Sequence, residues 1–373
     1  MTLRIAHLTT VHPWQDARIF SKMCCSLAAA GNEVHLIAVH GYPVGDEPVN
    51  GVHVHLFSEP MSRLARLTRS AWQVYRRALE VRADIYHFHD PELIGVGVLL
   101  RLHGRNVVYD VHEDMPKRIL DREWVPKPLR KPLSGLISAV QAVGNRTLSG
   151  IVCATPTIAK RFDARKTVTV RNFPALEEFD FSDDSVTPRT PTIVFIGTID
   201  VTRGVLELIN GFRVLSERMD AKLVIAGRRR GDEYDRALDQ AASGLPVEFP
   251  GWVDRQQVQS LLSDAAVGAV LSLPCDTANE AISTKLFEYM AGGIPVVTAN
   301  MPLWAEVVES SQCGSAVEPS DSNAVAAVLE HWLRDADAAR AAGDNGRDAI
   351  MNTYNWSKEL PTLMQLYRRL AND

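Results

Sequence analysis

Residues 279–297 read NEAISTKLFEYMAGGIPVV, in which Glu280 and Glu288 are separated by seven residues. Ser283 or Thr284 is suited to cap a helix that begins there, with Lys285 in its first turn. A helix start carries unpaired backbone N–H groups and a partial positive charge, which seats a phosphate. Glu288, about one turn in, can accept hydrogen bonds from vicinal hydroxyls such as those of a ribose. Glu280 precedes the helix, in a loop able to curl over the far end of a ligand. The two acids can thus grip opposite ends of one elongated molecule, with a sugar at Glu280 and a ribose at Glu288. A diphosphate would lie between them on the helix start. The bland alternative is a pair of ordinary helix-surface acids, and spacing alone leaves both readings open.

Other polar residues gather where strands end. YDVHED places His112 at the end of one apolar run, and YHFHDPE places His89 and Asp90 at the end of the run before it. In an open parallel sheet, ligands bind beyond the carboxyl ends of the strands. That rule points all three at one crevice, although a strand-end histidine also serves structure alone. The first strand runs into TTVHPWQDARIF, without glycine. Asp16 and Arg18 there suit an acceptor or a phosphate, or else a structural ion pair. Neither half carries G-x-G-x-x-G, which argues against an NAD- or FAD-dependent oxidoreductase. Asp335-Ala336-Asp337 is a D-x-D string of the metal-binding kind, but it sits in an alanine-rich helical stretch and reads as a solvated face. The five cysteines show no CxxC pair and read as reduced, mostly buried thiols. No metal and no cofactor is expected.

The elements that must position these residues alternate. LRIAHLTT, EVHLIAV, VHVHLF, DIYHFH, NVVYDV and GIVCAT predict strands, with helices over 16–30, 61–82 and about 92–103. TIVFIG, KLVIAG, VEFPG, VGAVLSL and IPVVTA repeat the pattern, the last as a strand over 293–298. Near-continuous apolar strands alternating with helices mean parallel sheets covered on both faces. The acidic, proline-bearing stretch 175–190 reads as a linker. The expected domains are therefore 1–174 and 191–356, two tandem doubly wound α/β units facing a central cleft. The closing helix 357–373 is amphipathic, with Leu360, Leu363, Leu366 and Tyr367 near one face.

Bulk numbers agree with that division. A chain of 373 residues exceeds one ordinary core. Residues 1–180 carry 23 Lys and Arg against 18 Asp and Glu, and the rest 17 against 27, so the halves differ in sign. No arginine stripe with interleaved aromatics argues for nucleic acid. No run of about 18 apolar residues predicts a membrane span, and the first residues lack a signal-peptide core, so a cytoplasmic location is expected. Two basic stretches, 61–82 with six arginines and 115–132 with Trp124, suit contact with anionic lipid at the inner membrane face, or a plain solvated face.

Here the sequence resembles a known family. Glu280-x7-Glu288 followed by EYMAGGIPVV is similar to the signature of the retaining GT-B glycosyltransferases of family GT4. FIGTIDVTRGVLELINGF is similar to the strand–loop–helix that opens that family's donor domain, KLVIAG and EFPGWVDRQQVQSLLSDAAVGAVLS match later elements in order, and YNWSKELPTLMQLYRRL resembles the closing helix. VHPWQDARIFSKMCCSLAAAGNEVHLIA, YHFHDPELIG and VVYDVHEDMP resemble a bacterial subgroup with an Asp-x-Arg-Ile-Phe start. The resemblance implies a GT-B fold, with an acceptor-binding first domain and a donor-binding second. It also implies that the closing helix crosses back onto the first domain.

Roles follow by the same resemblance. Glu288 holds the ribose of a nucleotide-sugar donor such as a UDP- or GDP-sugar, Glu280 contacts the transferred sugar, and Arg203 meets the diphosphate. Thr198 stands where relatives carry a second basic residue, leaving Lys285 or Arg228 to fill that contact. Val253, within Trp252 to Asp254, flanks the base, and Ser283 and Thr284 complete the donor side. His112 matches the histidine near the donor sugar; Asp16, Arg18, His89 and Asp90 fall on the acceptor side. The implied chemistry is glycosyl transfer with retention. Catalysis rests on stabilising the departing diphosphate, which is thought to assist deprotonation of the acceptor. The acceptor is expected to be a sugar, a lipid-linked sugar or a small molecule in bacterial glycoconjugate, polysaccharide or natural-product synthesis. A nucleotide-sugar epimerase or hydrolase, and a non-catalytic binding module, are the alternatives on the same fold.

Overall fold

The computed structural model describes residues 2–39, 44–45, 47–57, 62, 65–121, 125–179, 191–229, 231–273 and 282–372. The chain divides into two compact units, Met1–Asn172 joined by Trp356–Asp373, and Phe173–Asn355.

The first unit is built on seven parallel strands: β1 (Arg4–Leu8), β2 (Glu33–Ala38), β3 (Val52–Leu56), β4 (Ile85–Phe88), β5 (Asn106–Val111), β6 (Gly150–Cys153) and β7 (Thr167–Thr169). Their spatial order is β3-β2-β1-β4-β5-β6-β7, so the order reverses between β1 and β4. After β1, Asp16 accepts from the backbone N–H groups of Arg18 and Ile19 and starts a π-helical stretch, Ala17–Cys24. That stretch continues as α1 (Cys25–Ala29). A π turn, Arg66–Ser70, leads into α2 (Ala71–Val81), and α3 (Ile94–Leu102) follows β4. After β5 come α4 (Met115–Asp121) and α5 (Lys127–Thr147), then the one-turn α6 (Pro156–Ala159).

One face of this sheet is apolar, with Ala6, Leu8, Tyr86, Phe88, Tyr109 and Val111 packed under α2 and α3. A fully buried side chain of this kind contributes about 1.5–3 kcal/mol. The opposite face is different: His7, His87 and Asp110 occupy the alternate positions and are equally buried. The C-terminal helix belongs to this unit, packing on β4, β6 and β7. Its buried face is Trp356, Leu363, Leu366, Tyr367 and Leu370, and the Trp356 indole donates to Ser26.

The second unit has six parallel strands: β8 (Thr192–Ile196), β9 (Lys222–Ala226), β10 (Val247–Gly251), β11 (Val267–Val270), β12 (Val296–Ala299) and β13 (Gly314–Val317). The order is β10-β9-β8-β11-β12-β13, with the reversal between β8 and β11. Its helices are α7 (Val205–Ser216), α8 (Asp232–Ala242), α9 (Arg255–Asp264), α10 (Thr284–Ala291), α11 (Pro302–Ser310), α12 (Ser322–Arg334) and α13 (Ala336–Asn352); the C-terminal helix of the first unit is α14 (Trp356–Asn372). Asp254 starts α9 with a reciprocal capping box to Gln257, and Asp321 and Asp335 cap α12 and α13.

Several elements differ from expectation. The 115–132 stretch holds the start of a 21-residue helix, α5, which its prolines disguise. Pro128 sits in the first turn, where no N–H is missed. β7 and β13 are short and polar or small in composition, so no apolar run announces them. The strand expected over 293–298 starts at Val296, because Gly293 takes a left-handed turn. Within the expected linker, Leu176 and Phe179 pack on the core of the second unit, and residues 180–190 lie outside the described residues.

Candidate functional site

In the first unit the polar residues converge where β1, β4 and β5 end. His7 and His87 are register partners on adjacent strands, and His89 and Asp110 follow on the same face by strand alternation. The Asp110 carboxylate is fully buried and held by the Arg18 fork, with Nε donating at 3.0 Å and Nη2 at 2.9 Å. Nη2 also donates to the Val170 carbonyl. Burial alone would raise the Asp110 pKa, but the Arg18 charge outweighs it and holds the carboxyl well below its ordinary range.

An ionised Asp110 fixes the histidines behind it. His89 Nδ1 donates to Asp110 Oδ2 at 3.1 Å, so His89 Nε2 accepts from His7 Nδ1 at 2.9 Å. His87 Nδ1 is hydrogen-bonded to the Tyr367 hydroxyl of α14. Burial depresses His7 and His87 well below the ordinary imidazole value and His89 to about 3, so all three are neutral. The three rings bring nitrogens within 4.8 Å of one another, as do His89, Asp110 and His112. Yet both His89 nitrogens are already used, on Asp110 and on His7, and Asp110 is committed to Arg18. The arrangement is a hydrogen-bond ladder.

At the rim, His112 Nε2 lies 3.3 Å from Asp110 Oδ2, with 22% of the side chain exposed. Burial lowers it to about 4 against the opposing pull of Asp110. His12 stacks on it at 5.5 Å. His12 Nδ1 is 3.3 Å from Asp16, and its Nε2 is 3.6 Å from Asp90. Asp90 also accepts from the Thr9 hydroxyl and the Thr10 and Val11 N–H groups, which ties the loop after β1 across the point of reversal.

These contacts show what holds the residues expected on the acceptor side. Arg18 is the structural ion pair, 4% exposed and committed to Asp110. His89 and Asp90 are 2% and 1% exposed, with both His89 ring nitrogens and Asp90 Oδ2 bonded to protein groups. Asp16 caps the helix and meets His12; burial opposes its charge, but bonds from His12 and the Ile19 N–H hold it at about 2.

In the second unit, Gly204 separates the turn holding Arg203 from α7, at φ 65° against the Leu271 carbonyl. A Cβ there would overlap that carbonyl, so glycine is required. Arg203 is exposed and 4.0 Å from Asp200. Ser283 caps α10 by accepting from the Lys285 N–H. Lys285 Nζ pairs with both Glu288 oxygens at 3.2 and 3.0 Å, and its stem is the nearest side chain to Gly197, next to half-buried Thr198. Thr284 is exposed at the first turn. Arg228 lies 5.6 Å over the ring of exposed Trp252, beside Val253. Glu280 lies outside the described residues.

Sequence reasoning missed Asp110, His7, His87, His12 and Tyr367. The available signal was the alternation of His and Asp through runs such as YHFH and YDVH, where a strand buried on both faces should be apolar throughout.

Two family models match the chain: "Glycosyl transferase 4-like domain" over residues 17–172 and "Glycosyl transferases group 1" over residues 190–335. An uncharacterized glycosyltransferase of Methanocaldococcus jannaschii is 26% identical over 47% of this chain and 44% of its own length, so the match spans under half of that relative. The MMP α-(1→4)-mannosyltransferase of Mycolicibacterium hassiacum is 22% identical over 77% of this chain and 71% of its own. Among solved structures, sucrose-phosphate synthase from Thermosynechococcus elongatus superposes with a TM-score of 0.78 at 18% identity, covering 99% of both chains. Anabaena HepE, solved with UDP and glucose, superposes with a TM-score of 0.72 at 16% identity over 97% of this chain and 98% of that one. With a glycosyltransferase domain in each half and this pair of reversed parallel sheets, the chain belongs to the GT-B glycosyltransferases of the GT4 type.

Proposed function

We propose that the chain transfers a glycosyl group from a nucleotide-diphosphate-sugar donor to an acceptor hydroxyl, with retention of anomeric configuration. The observation that carries this reading is the start of α10. Ser283 caps it, and Lys285 stands beside Gly197 and Thr198, already balanced by Glu288. A donor diphosphate on that helix start would draw Lys285 to itself and so fill the contact that Thr198 lacks. Glu288, released from the lysine, would accept from the ribose hydroxyls. Arg203 supplies a second cation to the departing diphosphate, and Arg228 with Trp252 and Val253 flanks the base. Glu280 and His112 attend the transferred sugar. HepE, solved with UDP and glucose on the same fold, supports a donor of this class.

Thermal shift over UDP-, GDP- and dTDP-sugars tests the reading, since a ligand bound only by the folded chain raises its apparent stability. One donor should stabilise the protein, and Glu288→Ala should weaken that donor by about 1–3 kcal/mol through lost charge-assisted hydrogen bonds. No stabilisation by any donor refutes it. Rapid donor turnover without acceptor would favour the hydrolase or epimerase alternative.

A membrane-bound acceptor is part of the proposal. Among the described residues no helix is long and apolar enough to cross a membrane. α5, however, exposes Leu129, Leu136, Val140 and Val143 along one stripe, and 127–147 holds four cations and no acid. In 61–82, Leu67 and Trp72 are exposed, but Arg66 and Arg77 are paired with Glu92 and Glu80. The lipid contact read from 115–132 is therefore carried onward along α5. Co-sedimentation with liposomes that does not depend on anionic lipid would remove this contact.

A further inference from the structure

We infer that Tyr289 is a positioning residue for the donor diphosphate: its hydroxyl ties the end of β8 to α10 and so sets the gap between Gly197–Thr198 and Lys285. This rests on the donor seat proposed above. β8 and β11 flank the point where the strand order reverses, the place where an open parallel sheet takes its ligand. Their pairing is cut short there. The last register partners are Val194 and Gly268, although the strands run on to Ile196 and Val270. The Gly197 N–H donates to the Ala226 carbonyl of β9 at 2.9 Å, so by strand alternation the Ile196 N–H points the other way, toward β11. Its acceptor is not a strand carbonyl but the Tyr289 hydroxyl, at 2.8 Å and fully buried. Burial pushes the phenol pKa up, so the hydroxyl stays neutral and keeps its place as the acceptor.

Glycines on both sides of α10 fix the ring that carries this hydroxyl. Tyr289 lies against Gly268, where a Cβ would come within 2.4 Å of the ring. From the other side α13 closes on the end of α10. A Cβ on Gly343 would stand 2.0 Å from the Gly293 carbonyl oxygen, and one on Gly346 3.2 Å from Met290 Cα. The helix therefore has little room to draw back from the sheet, and the hydroxyl bond sets how closely it approaches β8. Lys285 lies one turn before Tyr289 on the same side of α10. Its Cε is the nearest atom to Gly197, 3.7 Å from where a Cβ would stand, one residue beyond Ile196. Two contacts thus follow one another along the helix and the strand end, Tyr289 on Ile196 and Lys285 beside Gly197. A phosphate seated between Gly197–Thr198 and the start of α10 meets groups whose separation that hydroxyl holds. Small misplacements of such groups carry large losses, because electrostatic contacts to a diphosphate act at full strength only when preorganised.

Tyr289→Phe keeps the ring on Gly268 and removes only the oxygen, leaving the Ile196 N–H buried without an acceptor. UDP, GDP and dTDP serve as probes, each beside its own nucleoside. Calorimetry should find the preferred diphosphate bound about tenfold more weakly by the variant, while ligand-observed NMR finds the matching nucleoside within about twofold of wild type. Lys285→Ala should cost far less affinity in the Tyr289→Phe background than in the wild type, because the two residues act on one phosphate seat. In the wild type, isoleucine labelling reads the Ile196 amide directly. Its hydrogen exchange should slow on addition of the diphosphate but not of the nucleoside, a measurement that needs no variant. An Ile196 amide indifferent to the diphosphate overturns the inference. So does a Tyr289→Phe protein that melts lower yet binds diphosphate as the wild type does, or that loses nucleoside and diphosphate alike, since the hydroxyl is then a stabilising bond only. Either result leaves the transfer reaction standing. A wild type that binds none of the three diphosphates sinks the transfer reaction and this inference with it.

Discussion

Lowering the pH from 7.5 to 5.5 should destabilise the first unit well before any carboxylate is lost. His7, His87 and His89 are buried and neutral in the fold, with His89 at about 3 and the other two held well below their ordinary value by burial. In the unfolded chain each takes up a proton near 6.5. The unfolded state therefore binds more protons below that value, and stability rises with pH. The stabilisation is fully present above 6.5 and lost as pH falls toward the folded values. Each neutral imidazole costs about 1.4 kcal/mol over the interval, so the three together remove about 4 kcal/mol. That is a large part of the roughly 5–15 kcal/mol that holds a domain. His12 works in the opposite direction, since its raised pKa adds stability as pH falls, but His55 and His112, each lowered to about 4, act with the ladder, so it is one group against five. Asp110 and Asp16 contribute nothing in this window, because both stay ionised folded and unfolded. Guanidinium unfolding followed by hydrogen exchange of the β1, β4 and β5 amides gives the loss directly. Calorimetry in two buffers of different ionisation enthalpy gives the proton uptake, expected between about four and five once His55 and His112 are counted with the ladder. An unchanged midpoint at pH 5.5 with no uptake would refute the neutral ladder.

Three further perturbations follow. Arg18→Met leaves the Asp110 carboxylate buried without its cation, and should cost about 3–5 kcal/mol of first-unit stability in chemical denaturation; a loss under 1 kcal/mol would show that the pair is dispensable. Gly204→Ala forces a Cβ into the Leu271 carbonyl at positive φ and should destabilise the second unit by at least about 2 kcal/mol, while a wild-type melting temperature would contradict the geometry. Arg203→Ala should reduce kcat with little change in donor Kd, since its cation serves the departing diphosphate; full turnover would remove Arg203 from the reaction.

What the sequence determined by itself was the periodic part. Apolar runs such as TIVFI, KLVIA and NVVYDV, split by helical stretches, dictate parallel strands, because only a strand covered on both faces is apolar at every position. The start of α10 was legible as well: Ser283 caps it for the local reason that its oxygen reaches a backbone N–H two residues on. Tertiary structure alone decided which polar residues are ligand-facing. Arg18 and Asp110 are 92 residues apart in sequence, and His87 meets Tyr367 across 280. No local pattern reveals such pairings, since strand order and the docking of α14 bring them together. That order buried Arg18, His89 and Asp90, which the strand-end rule had aimed outward. It left His12, unremarkable in its loop, between two carboxylates at the rim, where desolvation and neighbouring charge set what an imidazole can do.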